Sequence, residues 1–468
     1  MSARMDLADA ARAMSGSVEG AGVAFAAFAG VSTDSRALRP GELFVALRGK
    51  RFDGHEFIEA ACECGAAAAV VDAAGAEASR VAAGKLPLVV VADTRLALGD
   101  LAACWRARFT LPLIGVTGSN GKTTNKEMIT SILKAAFGEG AVLATNGNLN
   151  NDIGLPLTLL GLDGGHRAAV VEMGMNHPGE IAYLAAIGRP TVALVTNAQR
   201  AHLEGMGTLD VIAAEKGGIF SGLDRDGVAV FNADDPWADL WRAQSAHCRR
   251  RCFSLGGEAE VSGQCQTHGL ENRVSIAADG ERIEVDLALP GVHNARNALG
   301  AAAAALAAGV PLAAVRQGLA DFRGIRGRLQ RRAGRHGALV LDDTYNANPD
   351  SVRAGIDVLA ATIGRKILVL GDMGEIGEMT GQFHDEIGGY AKSQGIDRLL
   401  AFGESSALAA LNFGVGGEHF RKFEDLAAAL LAELAPESIV LVKGSRFMRM
   451  ERVIDAITAQ EGEGPSCC

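Results

Sequence analysis

The chain has 468 residues, of which 48% are hydrophobic, and its formal net charge at pH 7 is −10. Its length predicts two to four packed domains, and its acidic balance argues against a nucleic-acid-binding protein. No apolar run reaches the roughly 18 residues of a membrane-spanning helix. The first residues, MSARMDLADAARAM, contain acids and no uninterrupted apolar stretch, so they do not resemble a signal peptide. We therefore expect a cytoplasmic protein that is not integral to a membrane and has no nucleic-acid partner.

Short apolar runs predict strands along most of the chain, separated by alanine-rich helical segments. Several of them end in a carboxylate, an amide or a glycine, which is typical of strands buried on both faces of a parallel sheet. The sequence therefore predicts an α/β protein with several sheets and with ligands at the carboxyl ends of the strands. The nine clearest runs are LVVVAD (88–93), LPLIGVTG (111–118), AAVVEMG (168–174), TVALVTN (191–197), GVAVFNADD (227–235), GALVLDD (337–343), KILVLGD (366–372), RLLAFG (398–403) and SIVLVKG (438–444).

Two breaks in this pattern predict three domains. A helical stretch ends near RARFTLPLIG (106–115), and a glycine- and arginine-rich crossing, FRGIRGRLQRRAG (322–334), follows an alanine-rich helix. We expect domains at 1–110, 111–325 and 326–468, with boundaries uncertain by several residues.

The stretch GVTGSNGKTT (115–124) ends like a phosphate-binding loop, although Val116 stands where the usual pattern G-x-x-x-x-G-K-[ST] has its first glycine. A strand, a glycine turn and a helix starting near Thr123 would aim several backbone N–H groups at one point. Lys122 would reach the terminal phosphates, and the Thr123 hydroxyl suits Mg²⁺. The sequence therefore predicts an ATP-binding loop. The loop residues expected to bind ATP are Thr117, Gly118, Ser119, Asn120, Gly121, Lys122, Thr123 and Thr124.

Downstream of the loop, three residues are candidates for a catalytic or metal-binding role. Glu172 ends a buried strand, where a carboxylate without a task is costly. His202 follows the next predicted strand, and Lys216 lies in a helical segment. Taken alone, they could be a strand-end cap, a loop histidine and a solvated lysine. Their order after the loop favours a shared function.

This order resembles the Mur ligase family, the ATP-dependent enzymes that build the peptide of the peptidoglycan precursor. The resemblance spans essentially the whole chain and implies an N-terminal UDP-substrate-binding α/β domain, a central P-loop ATPase domain with a mostly parallel sheet, and a C-terminal Rossmann-like domain. It is carried by TGSNGKTT (117–124), NAQRAHLE (197–204), GVHNARNALGAAAA (291–304) and LDDTYNANPDS (341–351).

The stretch VSTDSRALRPGELFVALRGKRFDGHEFI (31–58) resembles the uridine-binding domain shared by the family members that add the third residue and the final dipeptide. Three other stretches are similar to the member that adds the final dipeptide: TNGNLNNDIGLPLTLL (145–160), DDTYNANPDS (342–351) and LVLGDMGEIGE (368–378). The resemblance implies that the chain, as a monomer, uses ATP and two Mg²⁺ ions to join D-alanyl-D-alanine to UDP-N-acetylmuramoyl-tripeptide through an acyl phosphate. The alternatives are a third-residue-adding Mur ligase, a folylpolyglutamate synthase, and a P-loop kinase or switch protein.

The resemblance also implies roles for individual residues. Asn294 and Asn297, three apart at a predicted helix start, would face adenine; Arg328 would bind the nucleotide, and Asp343 the ribose, with Asp342 as the competing choice. Catalytic roles are implied for Lys122, Glu172, His202 and Lys216, and metal ligation for Thr123, Glu172, His202 and Lys216. Substrate binding is implied for Ser32, Asp34, Ser35, Arg36, Thr145, Asn146, Asn148, Asn150, Asn151, Asn346 and Asn348.

One position departs from the family. The helix after His202 usually carries Lys-Gly-Glu, whereas this chain has Lys216-Gly217-Gly218. The role of that glutamate is therefore absent here or filled by Glu215. In several family members the equivalent of Lys216 is a carbamate, and the resemblance implies the same modification in this chain.

Overall fold

The computed structural model describes residues 5–19, 27–79 and 86–458, which form three α/β domains. All nine strands expected from the apolar runs are present. None of the helices in these ranges is long and apolar enough to cross a membrane.

The N-terminal domain is built on a five-stranded sheet. Its strands and helices are β1 (Met5–Asp6), α1 (Leu7–Ala13), β2 (Ser17–Glu19), β3 (Ala27–Phe28), β4 (Gly30–Ser32), β5 (Glu42–Val45), α2 (Ile58–Glu63), β6 (Ala68–Asp72), α3 (Ala73–Ser79), β7 (Leu88–Val91) and α4 (Thr94–Arg106). The strand order is β2-β7-β6-β5-β4, parallel except for β2, and β1 pairs with β3 separately.

The central domain carries a six-stranded parallel sheet. Its elements are β8 (Leu113–Thr117), α5 (Lys122–Phe137), β9 (Val142–Ala144), α6 (Gly154–Leu159), β10 (Ala168–Glu172), α7 (Glu180–Gly188), β11 (Val192–Val195), α8 (Leu203–Met206), α9 (Leu209–Gly217), β12 (Val228–Phe231), α10 (Ala238–Gln244) and β13 (Arg249–Arg250). The strand order is β13-β12-β11-β8-β10-β9. Every residue of β8 and β10 is buried, as expected for central strands covered on both faces.

A second, mostly antiparallel sheet completes this domain and was not expected strand by strand. It contains β14 (Phe253–Leu255), β15 (Val261–His268), β16 (Glu271–Ala278) and β17 (Glu281–Leu287), followed by α11 (Val292–Ala307) and α12 (Leu312–Asp321). Buried and exposed residues alternate along β16, because only one of its faces packs on the core. The small alanine side chains of α11 are buried in the same core as α5 and this sheet.

The C-terminal domain has a six-stranded sheet in the order β18-β19-β23-β20-β21-β22, parallel except for the first strand. Its elements are β18 (Gln330–Ala333), β19 (Leu339–Asp343), α13 (Pro349–Ala360), β20 (Arg365–Gly371), α14 (Thr380–Ser393), β21 (Arg398–Phe402), α15 (Ser406–Phe413), β22 (Gly417–Phe420), α16 (Phe423–Glu433), β23 (Ser438–Lys443) and α17 (Glu451–Ile457).

The central sheet brings the candidate residues to one edge. β8 lies between β10 and β11, and its carboxyl end is level with theirs: Glu172 pairs in register with Val116, and Val195 with Thr117. β9 and β10 lie on one side of β8, whereas β11, β12 and β13 lie on the other. The order in which the chain adds strands therefore reverses next to β8. Crevices at such points bind ligands in open α/β sheets.

Candidate active site

The loop after β8 has the backbone of an anion-binding turn. Gly118 and Gly121 have φ angles of 150° and 80°, and a Cβ at either position would overlap a neighbouring side chain. Only glycine therefore fits both positions. Helix α5 begins at Lys122, one residue before the expected start, and its N-terminus adds a positive field to the turn.

The Lys122 ammonium lies within this turn. It donates hydrogen bonds to the carbonyl oxygens of Gly118 (2.7 Å) and Ser119 (3.3 Å). Burial lowers the pKa of Lys122, the nearby Glu172 charge opposes that effect, and the Arg328 charge adds to it. The Lys122 side chain is thus held where the loop would bind phosphate.

Two cavities open on the loop. The first, of about 320 Å³, lies between the central and C-terminal domains, and the second, of about 350 Å³, also reaches the N-terminal domain. The expected site residues that line the first are Asn120, Gly121, Thr124, Asn294, Asn297, Arg328 and Asp343. Those that line the second are Ser119, Asn120, Gly121, Lys122, Thr123, Asn148, Asn150, Asn151, Glu172, His202, Arg328, Asn346 and Asn348.

Glu172 is the buried carboxylate of the second cavity, with 2% of its surface exposed. Its Oε1 accepts a hydrogen bond from Asn150 Nδ2 (2.8 Å), and its backbone N–H donates to Thr145 Oγ1 (2.9 Å). Its Oε2 has no hydrogen-bond partner among the described residues. Since an unpaired buried carboxylate oxygen is costly, this atom is suited to a cation.

His202 lies at the start of α8, in the left-handed conformation (φ 59°). Its Nδ1 is 2.9 Å from Glu375 Oε2, a carboxylate of the C-terminal domain that lines the same cavity. The contact with His202 lowers the pKa of Glu375, and this effect outweighs burial, which would raise it. Two domains therefore meet at this histidine.

Lys216 lies near the end of α9 and is buried, with 1% of its surface exposed. It lines neither cavity. Burial, and then the positive charge of Lys122, hold its pKa well below the ordinary value, against the opposing charge of Glu215. Burial and the Lys122 charge therefore both disfavour the protonated form of this amine.

The first cavity has an amide-rich wall on α11. Asn297 Nδ2 donates to Asn294 Oδ1 (3.1 Å), and Asn297 Oδ1 accepts from Asn125 Nδ2 (3.0 Å). Asn294 Nδ2 donates to the Pro290 carbonyl oxygen (2.8 Å). The two asparagines lie on one face of the helix, as their spacing predicts, and both are nearly buried.

The structure distinguishes the two carboxylates at the end of β19. Asp342 Oδ1 accepts hydrogen bonds from the Thr344 hydroxyl (2.6 Å) and backbone N–H (3.2 Å), and Asp342 does not line either cavity. Asp343 lines the first cavity and accepts a hydrogen bond from Lys443 Nζ (2.6 Å), its register neighbour on β23. Asp343 is therefore the carboxylate within reach of a ligand.

Two further contacts join the loop to the C-terminal domain. Asn348 Nδ2 donates to Asn120 Oδ1 (2.8 Å), and Asn120 Nδ2 donates to Asn348 Oδ1 (3.3 Å). The Arg328 guanidinium lies 4.2 Å from the centre of the Tyr345 ring, between the two cavities. The C-terminal domain thus covers the loop.

Some residues expected to bind substrate lie elsewhere. Thr145 is buried behind Glu172, and Asn146 accepts a hydrogen bond from the Leu149 N–H (3.3 Å). Neither lines a cavity at the loop, and the same holds for Ser32, Asp34, Ser35 and Arg36 of the N-terminal domain. There the Arg36 guanidinium binds the Asp34 carboxylate (2.7 Å) and holds the pKa of Asp34 at about 2.

The cleft offers a partial ligand set for magnesium. Mg²⁺ prefers oxygen ligands, and the Thr123 hydroxyl and Glu172 Oε2 are oxygens on the second cavity. The residues present therefore fit the ion. No group of three or more His, Cys, Asp or Glu side chains clusters as ligands in residues 5–19, 27–79 and 86–458, so phosphate oxygens and water would complete the coordination.

Several residues of the cleft were missed by sequence reasoning. They include Glu375 against His202, Lys443 against Asp343, and Arg95, which donates to Asp152 Oδ1 (2.7 Å) at the N-terminal end of the second cavity. Glu375 follows strand β20 in a glycine-rich turn, the same signal that marked the ATP loop. The glycine-rich turn was visible in the sequence, but the partner of Glu375, His202, lies in another domain.

Three family models match the chain in order. They are the Mur ligase family catalytic domain over residues 27–106, the Mur ligase middle domain over 116–305, and the Mur ligase glutamate ligase domain over 327–446. The first two regions carry the N-terminal sheet and the loop with its cleft, and the third carries the C-terminal sheet.

Relatives and solved structures agree with these models. The UDP-N-acetylmuramoyl-tripeptide--D-alanyl-D-alanine ligase of Escherichia coli (strain K12) is 42% identical over 95% of this chain and 96% of its own length. MurF from Acinetobacter baumannii has a TM-score of 0.88 at 34% identity, over 96% of this chain and 98% of its own. MurF from Thermotoga maritima in complex with ADP has a TM-score of 0.77 at 29% identity, over 91% and 96%. The chain therefore belongs to the Mur ligase family.

Proposed function

We propose that the chain joins D-alanyl-D-alanine to UDP-N-acetylmuramoyl-tripeptide at the expense of ATP, in peptidoglycan precursor synthesis. The observation that carries this proposal is the cleft in which the phosphate loop, the partly unpaired Glu172 and His202 meet the C-terminal domain. The E. coli relative that bears this activity in its name matches nearly the whole chain. Of the alternatives, a third-residue-adding ligase differs in the amine that it accepts.

The chemistry joins a carboxylate to an amine. A carboxylate oxygen of the tripeptide attacks the γ-phosphorus of ATP, ADP leaves, and an acyl phosphate forms. The amine of the dipeptide then attacks the acyl carbon, a tetrahedral intermediate forms, and phosphate leaves as the amide bond closes. Lys122 stabilises the negative charge that develops when carboxylate and phosphate approach each other. Mg²⁺ would be held by Thr123, Glu172 and His202, which line the second cavity, and by a carbamate on Lys216, whose unmodified side chain lines neither cavity; it would supply further positive charge.

Lys216 enters this scheme through a carbamate. The amine in its neutral form would attack CO₂; a C–N bond would form and a proton would be released, which would leave a negatively charged oxygen donor. Burial, which lowers the pKa of Lys216, favours that reactive form. That oxygen donor would serve the metal, whereas a buried ammonium beside Lys122 would repel it. Gly218 stands where the family usually has a glutamate, so the role of that glutamate is absent here or filled by Glu215, whose carboxylate accepts hydrogen bonds from the backbone N–H groups of Gly179 (2.9 Å) and Ile181 (3.0 Å).

The remaining residues bind the substrates. Asn294 and Asn297 would face adenine in the first cavity, Asp343 the ribose and Arg328 the phosphates. We propose that the second cavity binds the tripeptide end of the nucleotide substrate and the dipeptide, and that Ser32, Asp34, Ser35 and Arg36 bind its uridine end. We also propose domain boundaries at 1–110, 111–325 and 326–468. The nucleotide substrates support a cytoplasmic, small-molecule enzyme, which we propose acts as a monomer.

The test is phosphate release from ATP with UDP-N-acetylmuramoyl-tripeptide and different amines. D-Alanyl-D-alanine should support release, whereas single amino acids should not. Release with a single diamino acid on the dipeptide precursor would assign the chain to third-residue addition. ATP turnover that ignores the amine, or a phosphorylated product that persists, would indicate a switch protein or a kinase.

A further inference from the structure

Glu375 is the one C-terminal residue seen to pair with His202 in the described part of the chain. Its Oε2 lies 2.9 Å from His202 Nδ1. The backbones also meet, because the Glu204 N–H, two residues beyond the histidine, approaches the Glu375 carbonyl oxygen at 3.4 Å. The contact therefore joins two chain segments and not only two side chains.

Both residues have an unusual backbone. His202 and Glu375 adopt positive φ angles of 59° and 60°, in the left-handed region that non-glycine residues rarely occupy. Such a conformation persists where the surroundings enforce it, and it is often found at functional sites. Here the two strained residues face each other.

The turn that carries Glu375 is anchored at three preceding residues. The Asp372 carboxylate accepts hydrogen bonds from the backbone N–H groups of Glu404 (3.0 Å) and Ser406 (2.7 Å). The Met373 N–H donates to His384 Nε2 (2.9 Å). These bonds tie the turn to its own domain.

Gly374 and His384 complete the anchoring. The Gly374 N–H donates to Ser445 Oγ (2.6 Å). The buried His384 donates through Nδ1 to the Thr380 carbonyl oxygen (2.7 Å), so its Nε2 is free to accept the bond from the turn. The position of Glu375 is thus determined by the C-terminal fold and moves with that domain.

The geometry points to a role for this carboxylate in orienting the histidine. We propose that Glu375 is a positioning residue for His202: it accepts the Nδ1 proton, leaves Nε2 as the lone-pair nitrogen in the cleft, and does so only when the C-terminal domain is docked. A carboxylate on one ring nitrogen fixes the tautomer and ring orientation of an imidazole. The role of His202 in ligation rests on the proposed function, whereas the pairing itself does not.

The test reads the tautomer directly. In chain labelled with ¹⁵N-histidine and bound to ADP, at mildly alkaline pH, ¹H–¹⁵N correlation spectra assign the His202 ring through a His202→Gln reference. The wild type should carry its proton on Nδ1, and Glu375→Ala should move a measurable fraction to Nε2. A wild-type proton on Nε2, or an unchanged tautomer in Glu375→Ala, would overturn the proposal.

Ligation kinetics provide the second measurement. Glu375→Ala should lower kcat by about 10- to 100-fold, and Glu375→Gln, which can still accept a hydrogen bond, should lose less. Glu378→Gln, on the same exposed turn, is the matched control and should keep wild-type kcat and tautomer. Equal kcat in Glu375→Ala and wild type would contradict the proposal. Absence of ligation in the wild type would refute the proposed function and leave the tautomer result standing.

Discussion

Arg200 of the central domain binds Asp350 of the C-terminal domain through backbone and side chain together. Its N–H donates to Asp350 Oδ2 (2.8 Å), and its Nη2 donates to Oδ1 (2.6 Å). Its Nη1 donates to Glu386 (2.9 Å), which also accepts from Arg353 (2.9 Å). The Arg200 side chain is 21% exposed and lies 5.2 Å from the Phe383 ring centre, so solvent screens these ion pairs only partly. This network holds the two domains together beside the ATP loop.

Loss of this network should favour an open arrangement. Arg200→Ala should lower kcat/KM for ATP by on the order of 10-fold, since about 1.4 kcal/mol of docking free energy corresponds to one order of magnitude. Small-angle X-ray scattering should show a larger radius of gyration. Arg353→Ala, which removes a Glu386 partner within the C-terminal domain alone, should change neither measurement. Unchanged scattering and kinetics in Arg200→Ala would mean that other contacts close the domains.

Lys122→Ala should abolish ligation and leave the fold intact. The ammonium lies in a glycine turn and donates to two loop carbonyls, so its loss removes transition-state charge and no core packing. A fall in kcat of about 100-fold or more is expected, measured by phosphate release, with an unchanged thermal midpoint as the control. A variant that keeps more than a few per cent of kcat would show that the loop is structural or that another cation replaces the lysine.

Glu172→Ala and His202→Ala should each lower kcat and raise the Mg²⁺ concentration that half-saturates activity. Glu172 has an oxygen without a protein partner, and each substitution removes a proposed ligand. Magnesium titrations of phosphate release measure this, beside calorimetry of ADP binding with and without Mg²⁺. If either variant melts early but shows normal kinetics and Mg²⁺ dependence while folded, the residue is structural.

Lys216→Ala should be nearly inactive, and acetate or formate should partly restore it by occupying the vacated space. The reason is that a carbamate contributes a negative oxygen, which neither alanine nor unmodified lysine can provide. Lys216→Arg is the matched variant and should stay inactive. If lysine acts as a plain cation, Lys216→Arg would keep activity and added carboxylate would do nothing. Restoration by a small amine alone would contradict the carbamate.

The local patterns of the sequence predicted much of this molecule. Nine apolar runs became strands because a strand buried on both faces must be apolar throughout, and that property is visible in four or five consecutive residues. The four-stranded sheet at β14–β17 was not predicted strand by strand, because the prediction relied on continuous apolar runs. Its strands instead alternate polar and apolar residues, the pattern of half-buried strands, and β15 is largely exposed towards its end. The start of α5 was expected within one residue, because glycine turns and helix starts are local too.

The pairing of residues across domains could not be predicted from the sequence. The sequence alone determined the α/β class, the ATP loop and the carboxylate at the end of β10, since each depends on residues adjacent in the chain. Only the tertiary structure decided that Glu375 faces His202, that Asp343 and not Asp342 lines the cavity, and that Arg200 binds Asp350, 150 residues away. Those contacts depend on the register of β19 with β23 and on how the C-terminal domain packs over the loop, and no local pattern of residues encodes either.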